Sequence, residues 1–160
     1  GLVLIGPFVR GATNAMQRLL YGALFSRPWG PAAWQWYYKT LYPTAQPADF
    51  TAYSAALGKN LAETGRLEAL RQMLFAAKAA AEERLARVQA PVLVLMGSKD
   101  PDFKDPLAEA QFVADSLRGA LHLIEGAGHY PQAEMPDVTA AHILSFLGTL
   151  QPAREVHRAA

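Results

Sequence analysis

The sequence predicts an α/β fold in which parallel strands are joined by crossover helices and a helical segment is inserted. Two observations support this prediction. Continuous apolar runs of strand length lie at residues 2–5 and 92–96, as expected for strands buried on both faces of a parallel sheet. Strand and helix patterns then alternate from residue 91 to residue 147, which implies right-handed parallel crossovers. A length of 160 residues suits one domain, or a small core with an insertion.

The first predicted element is the strand at residues 2–5, which is closed by Gly6 and Pro7. A complete domain rarely begins inside a central strand, so we expect sequence upstream of Gly1 to belong to the same fold. The outer edge of this strand would otherwise be unpaired, and unpaired edges seek partners. We therefore expect the upstream half of the fold, or a second copy of the chain, to complete the sheet.

A block of predicted helices occupies residues 13–88. Helices are expected at residues 13–25, 31–41, 48–64 and 66–87, with proline or glycine at the breaks. The last of these is rich in strong helix formers, and we expect it to be the crossover back to the sheet. Ten of the 16 aromatic residues lie between Tyr21 and Tyr53. They either pack the block internally or face a pocket, and the pocket candidates are Trp29, Trp34, Trp36 and, from a later loop, Tyr130.

The second half of the chain contains the predicted core. The strand at residues 92–96 ends at Gly97, and a loop with three aspartates precedes a helix at residues 106–117. Asp105 before Pro106 is a favourable N-cap followed by proline at the first helical position. A strand at residues 121–124 and a helix at residues 135–147 follow. Residues 1–12 and 89–150 are thus the predicted core, and residues 151–160 a frayed tail.

Composition excludes several classes of function. The net charge is +1 and the charges are scattered, so no basic stripe predicts nucleic-acid binding. The chain has no cysteine, which excludes disulfides, thiolate metal sites and a cysteine nucleophile. No apolar run is long enough for a membrane span, and residues 1–5 lack the basic start and cleavage site typical of a signal peptide. We expect a cytoplasmic protein without a metal, a cofactor or a membrane partner.

The histidine most suited to chemistry lies in the run Gly-Ala-Gly-His-Tyr-Pro at residues 126–131. Glycine and proline hold His129 on a tight loop at the end of a strand, where α/β proteins place their active sites. The loop at Asp100 follows the neighbouring strand and should converge on His129. A carboxylate bonded to one ring nitrogen fixes the tautomer and leaves the other nitrogen to act as a base. Asp102 is the alternative acid, because the turn at Pro101 can bring it into the same space.

The remaining candidates have weaker patterns. Asp105 is expected to be a helix cap only, and Glu134 to bond backbone groups of the histidine loop. No chemistry is expected for His122, His142 or His157.

Together, residues 91–100, residues 126–131 and the Glu-Met-Pro at residues 134–136 resemble the C-terminal portion of the α/β-hydrolase superfamily. The resemblance implies that Asp100 is the triad acid, that His129 is the base and that residues 13–88 form a helical cap over a small-molecule substrate. The implied function is hydrolysis of an ester or similar acyl bond.

One part of the family pattern is absent. No Gly-x-Ser-x-Gly motif occurs in the sequence, and no version with Asp or Cys. The chain alone is therefore predicted to be inactive, since it lacks a nucleophile and an oxyanion hole. An aspartate nucleophile, as in the family's epoxide hydrolases and dehalogenases, and a cofactor-free haloperoxidase-like activity both stay open. So does a non-catalytic ligand-binding or signalling module.

Overall fold

The computed structural model describes residues 1–11 and 13–150. It contains a three-stranded parallel sheet in the order β1–β2–β3. The strands are β1 (Leu2–Ile5), β2 (Val92–Gly97) and β3 (Ala120–Ile124). All three match predicted strands to within a residue or two. The predicted tail at residues 151–160 lies outside the described residues.

The helices follow in chain order. They are α1 (Ala15–Leu24), α2 (Gly30–Thr40), α3 (Phe50–Ala62), α4 (Arg66–Phe75), α5 (Ala79–Glu82), α6 (Pro106–Leu117), α7 (Pro131–Glu134) and α8 (Pro136–Thr149). None of the helices in the described part of the chain is long and apolar enough to cross a membrane. The predicted cap of α6 is confirmed, because the Asp105 carboxylate accepts a hydrogen bond from the Ala108 N–H at 2.9 Å.

Strand β2 is the centre of the core. Every residue of β2 is buried, and its side chains alternate between the two faces. Val92, Val94 and Met96 face one apolar cluster, which contains the buried side of α6. Leu93 and Leu95 face the other, which contains part of α8.

Strand β1 is less buried than its sequence predicts. All four residues of Leu2–Ile5 are only half-buried, whereas the continuous apolar run predicted burial on both faces. The reason is its place in the sheet. Within the described residues β1 pairs on one side only, with Leu2 opposite Val92 and Ile5 opposite Leu95. Its prediction as a strand was correct, and its prediction as a fully buried strand was wrong.

The predicted helix at residues 66–87 is also wrong in its extent. The structure divides it into α4, α5 and a 3₁₀ turn at Leu85–Arg87. Its residues are good helix formers, but propensity is a weak preference that packing overrides. Leu67 is buried at the start of α4, while Leu85 is buried in the cluster beneath β2 and α6. The chain leaves the helical conformation at Ala76, whose backbone is extended, and returns to it only for the short helix α5.

Gly97 ends β2 where the backbone of the histidine loop crosses it. A Cβ atom at Gly97 would collide with the carbonyl oxygens of Ala127 and Gly128, which are backbone atoms and cannot rotate away. The close approach of the two loops therefore requires glycine at this position.

We predict that Gly97→Ala lowers the free energy of unfolding by at least about 2 kcal/mol, because the loops must separate. Urea denaturation followed by circular dichroism measures the change. Gly148→Ala is the matched control, since its Cβ would meet no atom within 4 Å on α8. The free energy of unfolding of Gly148→Ala is expected to rise by up to about 1 kcal/mol, because alanine has a higher helix propensity than glycine. Equal stability of Gly97→Ala and the unmodified chain would contradict the close approach.

Candidate active site

The loops after β2 and β3 are held together by main-chain hydrogen bonds. The Ser98 N–H donates to the Ile124 carbonyl at 3.0 Å, and the Lys99 N–H donates to the Ala127 carbonyl at 2.9 Å. In return, the Gly126 N–H donates to the Ser98 hydroxyl at 2.8 Å. Parallel strands end at the same edge of a sheet, and these bonds fix how the two loops meet there.

Asp100 and His129 meet at this junction. The Nδ1 atom of His129 lies 2.7 Å from Oδ2 of Asp100. The Asp100 side chain is fully buried, and that of His129 is 13% exposed. The other Asp100 oxygen, Oδ1, accepts a hydrogen bond from the Asp102 N–H at 3.0 Å. With both oxygens engaged, the carboxylate is fixed toward the imidazole ring.

Asp102 lies beside this pair rather than in it. Its Oδ2 is 3.6 Å from His129 Nδ1, beyond hydrogen-bonding distance. Its Oδ1 accepts a hydrogen bond from the hydroxyl of Tyr37, which comes from α2. Asp100 therefore occupies the position expected of the acid, and Asp102 lies next to it. Tyr37 was not among the predicted site residues, because no local pattern connects α2 to a loop 65 residues away.

The charges around His129 change its proton affinity. Burial, the largest single influence, lowers the pKa of His129, but the Asp100 hydrogen bond and the Asp100 and Asp102 charges together outweigh it. The net effect is a raised pKa. For Asp102, burial is the main cause of a raised pKa, and the Tyr37 hydrogen bond and the His129 charge oppose it. Burial also raises the pKa of Tyr37, and the hydrogen bond to Asp102 adds to that shift. Tyr37 therefore remains a hydrogen-bond donor.

Glycine at the end of β1 makes room for the imidazole ring. Gly6 has φ of +56°, and a Cβ atom there would lie 3.1 Å from His129 Cε1 and 3.2 Å from Nδ1. The sequence indicated only a strand end at Gly6. Its glycine also allows the backbone to approach the ring, a role that depends on two elements far apart in the chain.

Glu134 joins the histidine loop to the segment after α2. Its buried carboxylate accepts hydrogen bonds from the N–H groups of Gly128 at 2.6 Å, Thr44 at 2.6 Å and Ala45 at 2.8 Å. The predicted bond to the histidine loop is confirmed, and the two bonds to residues 44–45 are additional. The His129 N–H also donates to the Leu41 carbonyl at 3.0 Å. The histidine loop is thus held from both the sheet and the helical block.

The aromatic pocket candidates are dispersed. Tyr130 packs edge-on against His129, with ring centroids 4.9 Å apart. The ring centroids of Trp34 and Tyr37 lie 5.1 Å apart, so Trp34 reaches the site only through Tyr37. Trp29 and Trp36 are 56% and 67% exposed. Two rings that were not predicted, Phe8 and Phe103, lie 5.2 and 6.5 Å from the His129 ring.

The other histidines lie apart from this site or outside the described residues. His122 on β3 stacks on His142 of α8 at 4.1 Å between ring centroids, and His157 lies outside the described residues. Among residues 1–11 and 13–150, the one group with three potential metal ligands is Asp100, Asp102 and His129. Asp100 and His129 are hydrogen-bonded to each other, and Asp102 accepts the Tyr37 hydroxyl.

The chain is similar to proteins of a known family. A profile of the Alpha/beta hydrolase family matches residues 1–142. The chain therefore belongs to the alpha/beta hydrolase family, and the predicted resemblance and fold class are confirmed. No match was found among curated proteins.

Solved structures of this fold superpose on most of the chain. A bromoperoxidase from Bacillus anthracis is 15% identical, with a TM-score of 0.69 over 91% of this chain and 57% of its own. The 2-hydroxy-6-oxo-6-phenylhexa-2,4-dienoate hydrolase of Rhodococcus sp. strain RHA1 is 14% identical, with a TM-score of 0.68 over 92% and 54%. An esterase from Rhodococcus sp. ECU1013 is 22% identical, with a TM-score of 0.67 over 93% and 56%. The chain thus spans little more than half the length of these proteins.

We predict that Glu134→Gln lowers the free energy of unfolding by roughly 3 kcal/mol, because an NH₂ group replaces an acceptor and faces a buried N–H. Urea denaturation measures the change. Glu125→Gln is the control for loss of a carboxylate, since Glu125 is exposed in the preceding turn, and its effect should stay within about 0.5 kcal/mol. Equal effects of the two substitutions would show that the three N–H contacts of Glu134 do not stabilise the fold.

A second prediction concerns pH. Because the pKa of His129 is raised above its ordinary value of 6.5, the stability this group adds is complete below about pH 6.5. That stability is lost as the pH rises through the folded-state pKa. His129→Gln should remove this component, so that the difference in unfolding free energy between the two proteins shrinks from pH 6 to pH 9. A difference that is constant with pH, measured by urea denaturation, would contradict the raised pKa.

Proposed function

We propose that this chain supplies the acid and the base of a hydrolase active site that acts on an ester or similar acyl bond. The hydrogen bond between Asp100 Oδ2 and His129 Nδ1 is the observation that supports this most directly. Within the described residues, the opposite ring nitrogen, Nε2, has no hydrogen-bond partner. An imidazole with a carboxylate on one nitrogen and a free second nitrogen has the arrangement of a general base.

In the proposed mechanism, His129 Nε2 takes the proton of a nucleophile as that nucleophile attacks the acyl carbon. Asp100 keeps the Nδ1 proton in place and stabilises the imidazolium that forms. His129 then returns the proton to the leaving group, and it later deprotonates the water that hydrolyses the acyl-enzyme. The sequence contains no nucleophile motif, so these steps describe a serine nucleophile and an aspartate nucleophile stays open as the alternative. An aspartate attacks as a carboxylate and has no proton to give, so His129 would then only activate water against the ester intermediate.

The helical block is proposed to be a cap that covers a small-molecule substrate. Its contacts with the histidine loop support this role, since Leu41 and Thr44 lie directly beside residues 126–129. Tyr130 is the aromatic candidate that adjoins the site, and Trp34 lies one contact further away. The unpaired side of β1 supports the proposal that another part of the fold, or a second copy, completes the sheet. A cytoplasmic location and the absence of nucleic-acid, membrane, metal and cofactor partners stay predictions of the sequence.

The activity test uses the longest form of the protein that its gene encodes, assayed with p-nitrophenyl esters. We expect His129→Gln and Asp100→Asn each to lower kcat by about 10⁴-fold. The first substitution removes the base, and the second removes the carboxylate that holds the imidazole in the tautomer needed for catalysis. The 160-residue chain alone is expected to show no turnover, since an oxyanion-hole donor contributes about 10²–10³ in rate and none is recognised in the sequence.

His142→Gln is the control, because it removes an imidazole that stacks on His122 and lies outside the site. It should leave kcat within about twofold. Full activity of His129→Gln in the longest form would refute the proposal and would favour a ligand-binding module. Turnover by the 160-residue chain that His129→Ala abolishes would refute the predicted need for an additional nucleophile.

A further inference from the structure

Tyr37 connects the helical block to the acid loop. It lies on α2, where its ring packs against Trp34 at 5.1 Å and against Phe25 at 6.4 Å between centroids. Its hydroxyl donates a hydrogen bond to Asp102 Oδ1. A ring held on two sides has little freedom, so the position of the hydroxyl is set by the packing of α1 and α2.

The two oxygens of Asp102 have different surroundings. Oδ1 accepts the Tyr37 hydrogen bond, and Oδ2 faces His129 Nδ1 at 3.6 Å. Asp100 occupies the hydrogen-bonding position at 2.7 Å. His129 Nδ1 therefore has one carboxylate as a hydrogen-bond partner and a second as a neighbouring charge. Both carboxylates favour the protonated ring.

Two carboxylates so close to each other, and largely removed from water, are unfavourable unless each has a partner. Asp100 is bonded by the imidazole and by the Asp102 N–H. For the Asp102 carboxylate, the partners are the Tyr37 hydroxyl and the charge on His129. Burial and Asp100 favour the neutral form of Asp102, while Tyr37 and His129 oppose this effect. The net effect is a raised pKa, and the Tyr37 hydroxyl is the neutral donor that limits this rise.

We propose that Tyr37 is a positioning residue that holds Asp102 as a second, ionised carboxylate beside His129 Nδ1 and thereby makes the imidazole a stronger base. The inference rests on the proposed role of His129 as a base. Within the described residues Tyr37 makes no hydrogen bond or ring contact with His129, and its effect passes through Asp102. The base strength of His129 is in this way coupled to the placement of α2.

Other groups near the ring bear on the design of a test. The groups that carry or can acquire a charge are Asp100 and Asp102 after β2, Tyr130 in the histidine loop, Tyr37 on α2, and Lys78. Lys78 is the most distant of these, since its Nζ lies 5.7 Å from the centre of the Phe8 ring, and that ring packs on His129. Lys78 and Tyr130 are unchanged in every variant used below. Differences among the variants therefore report on Tyr37 and Asp102.

The experiment is an NMR titration of the His129 ring in the chain itself, with long-range ¹H–¹⁵N spectra that report protonation and tautomer. Asp102→Asn should shift the His129 titration to lower pH, because a negative charge is lost. Tyr37→Phe should shift it in the same direction by a smaller amount, because Asp102 loses the donor that favours its charge and fixes its orientation. In the Asp102→Asn background, Tyr37→Phe should cause no further shift.

Tyr38→Phe is the matched control. It removes a hydroxyl from the next residue of the same helix, but that hydroxyl bonds Tyr42 at 2.8 Å and not the acid loop. We expect it to leave the titration unchanged. An equal Tyr37→Phe shift with and without Asp102, or no shift at all, would overturn the proposal.

If Tyr37→Phe fails to fold, the Asp102→Asn variant tests the proposal by itself. An unchanged His129 titration in that variant would overturn the role of the second carboxylate. The proposal and the hydrolase assignment fail separately. Loss of the hydrolase assignment would appear in the esterase assay of His129→Gln, which does not depend on this titration.

Discussion

The structure of the site depends on the hydrogen bond between a fully buried carboxylate, Asp100, and the imidazole of His129. A carboxylate without water around it requires partners, and here both oxygens have one. Those partners are in place because β2 and β3 run parallel in a register that brings Gly97 opposite Ile124. The two loops then cross so closely that only glycine fits at position 97. The register of β2 and β3 therefore also fixes the hydrogen bond between Asp100 and His129.

A second set of contacts holds the histidine loop from the side of the helical block. Glu134 accepts three backbone N–H groups from two separate segments, and Leu41 accepts the N–H of His129 itself. Such bonds orient the loop without using side chains of the reacting pair. The helical block thus has two connections to the site, one through Glu134 to the loop backbone and one through Tyr37 to Asp102. Movement of α2 relative to the sheet would affect both.

Similarity in fold does not by itself assign a reaction. The solved structures that superpose on the chain include a bromoperoxidase, a 2-hydroxy-6-oxo-6-phenylhexa-2,4-dienoate hydrolase and an esterase, all under 25% identical. A shared fold supports many chemistries, and function depends on the site. Here the chain contributes a hydrogen-bonded Asp100–His129 pair and a helical block. For this reason the variants proposed above act on Asp100, His129 and their neighbours.

The sequence by itself determined the strands, most helix positions, the Asp105 cap and the meeting of the aspartate loop with the His129 loop, because each depends on local periodicity or on residues next to a strand end. Tertiary structure alone decided the break within residues 66–87, where the chain is not helical at Ala76 despite its helix propensity. It also decided that Asp100 and not Asp102 bonds His129, and that β1 is half-buried. The links of Tyr37 to Asp102 and of Glu134 to Thr44 span 65 and 90 residues. No local pattern specifies such contacts, because they form only when packing brings distant segments together.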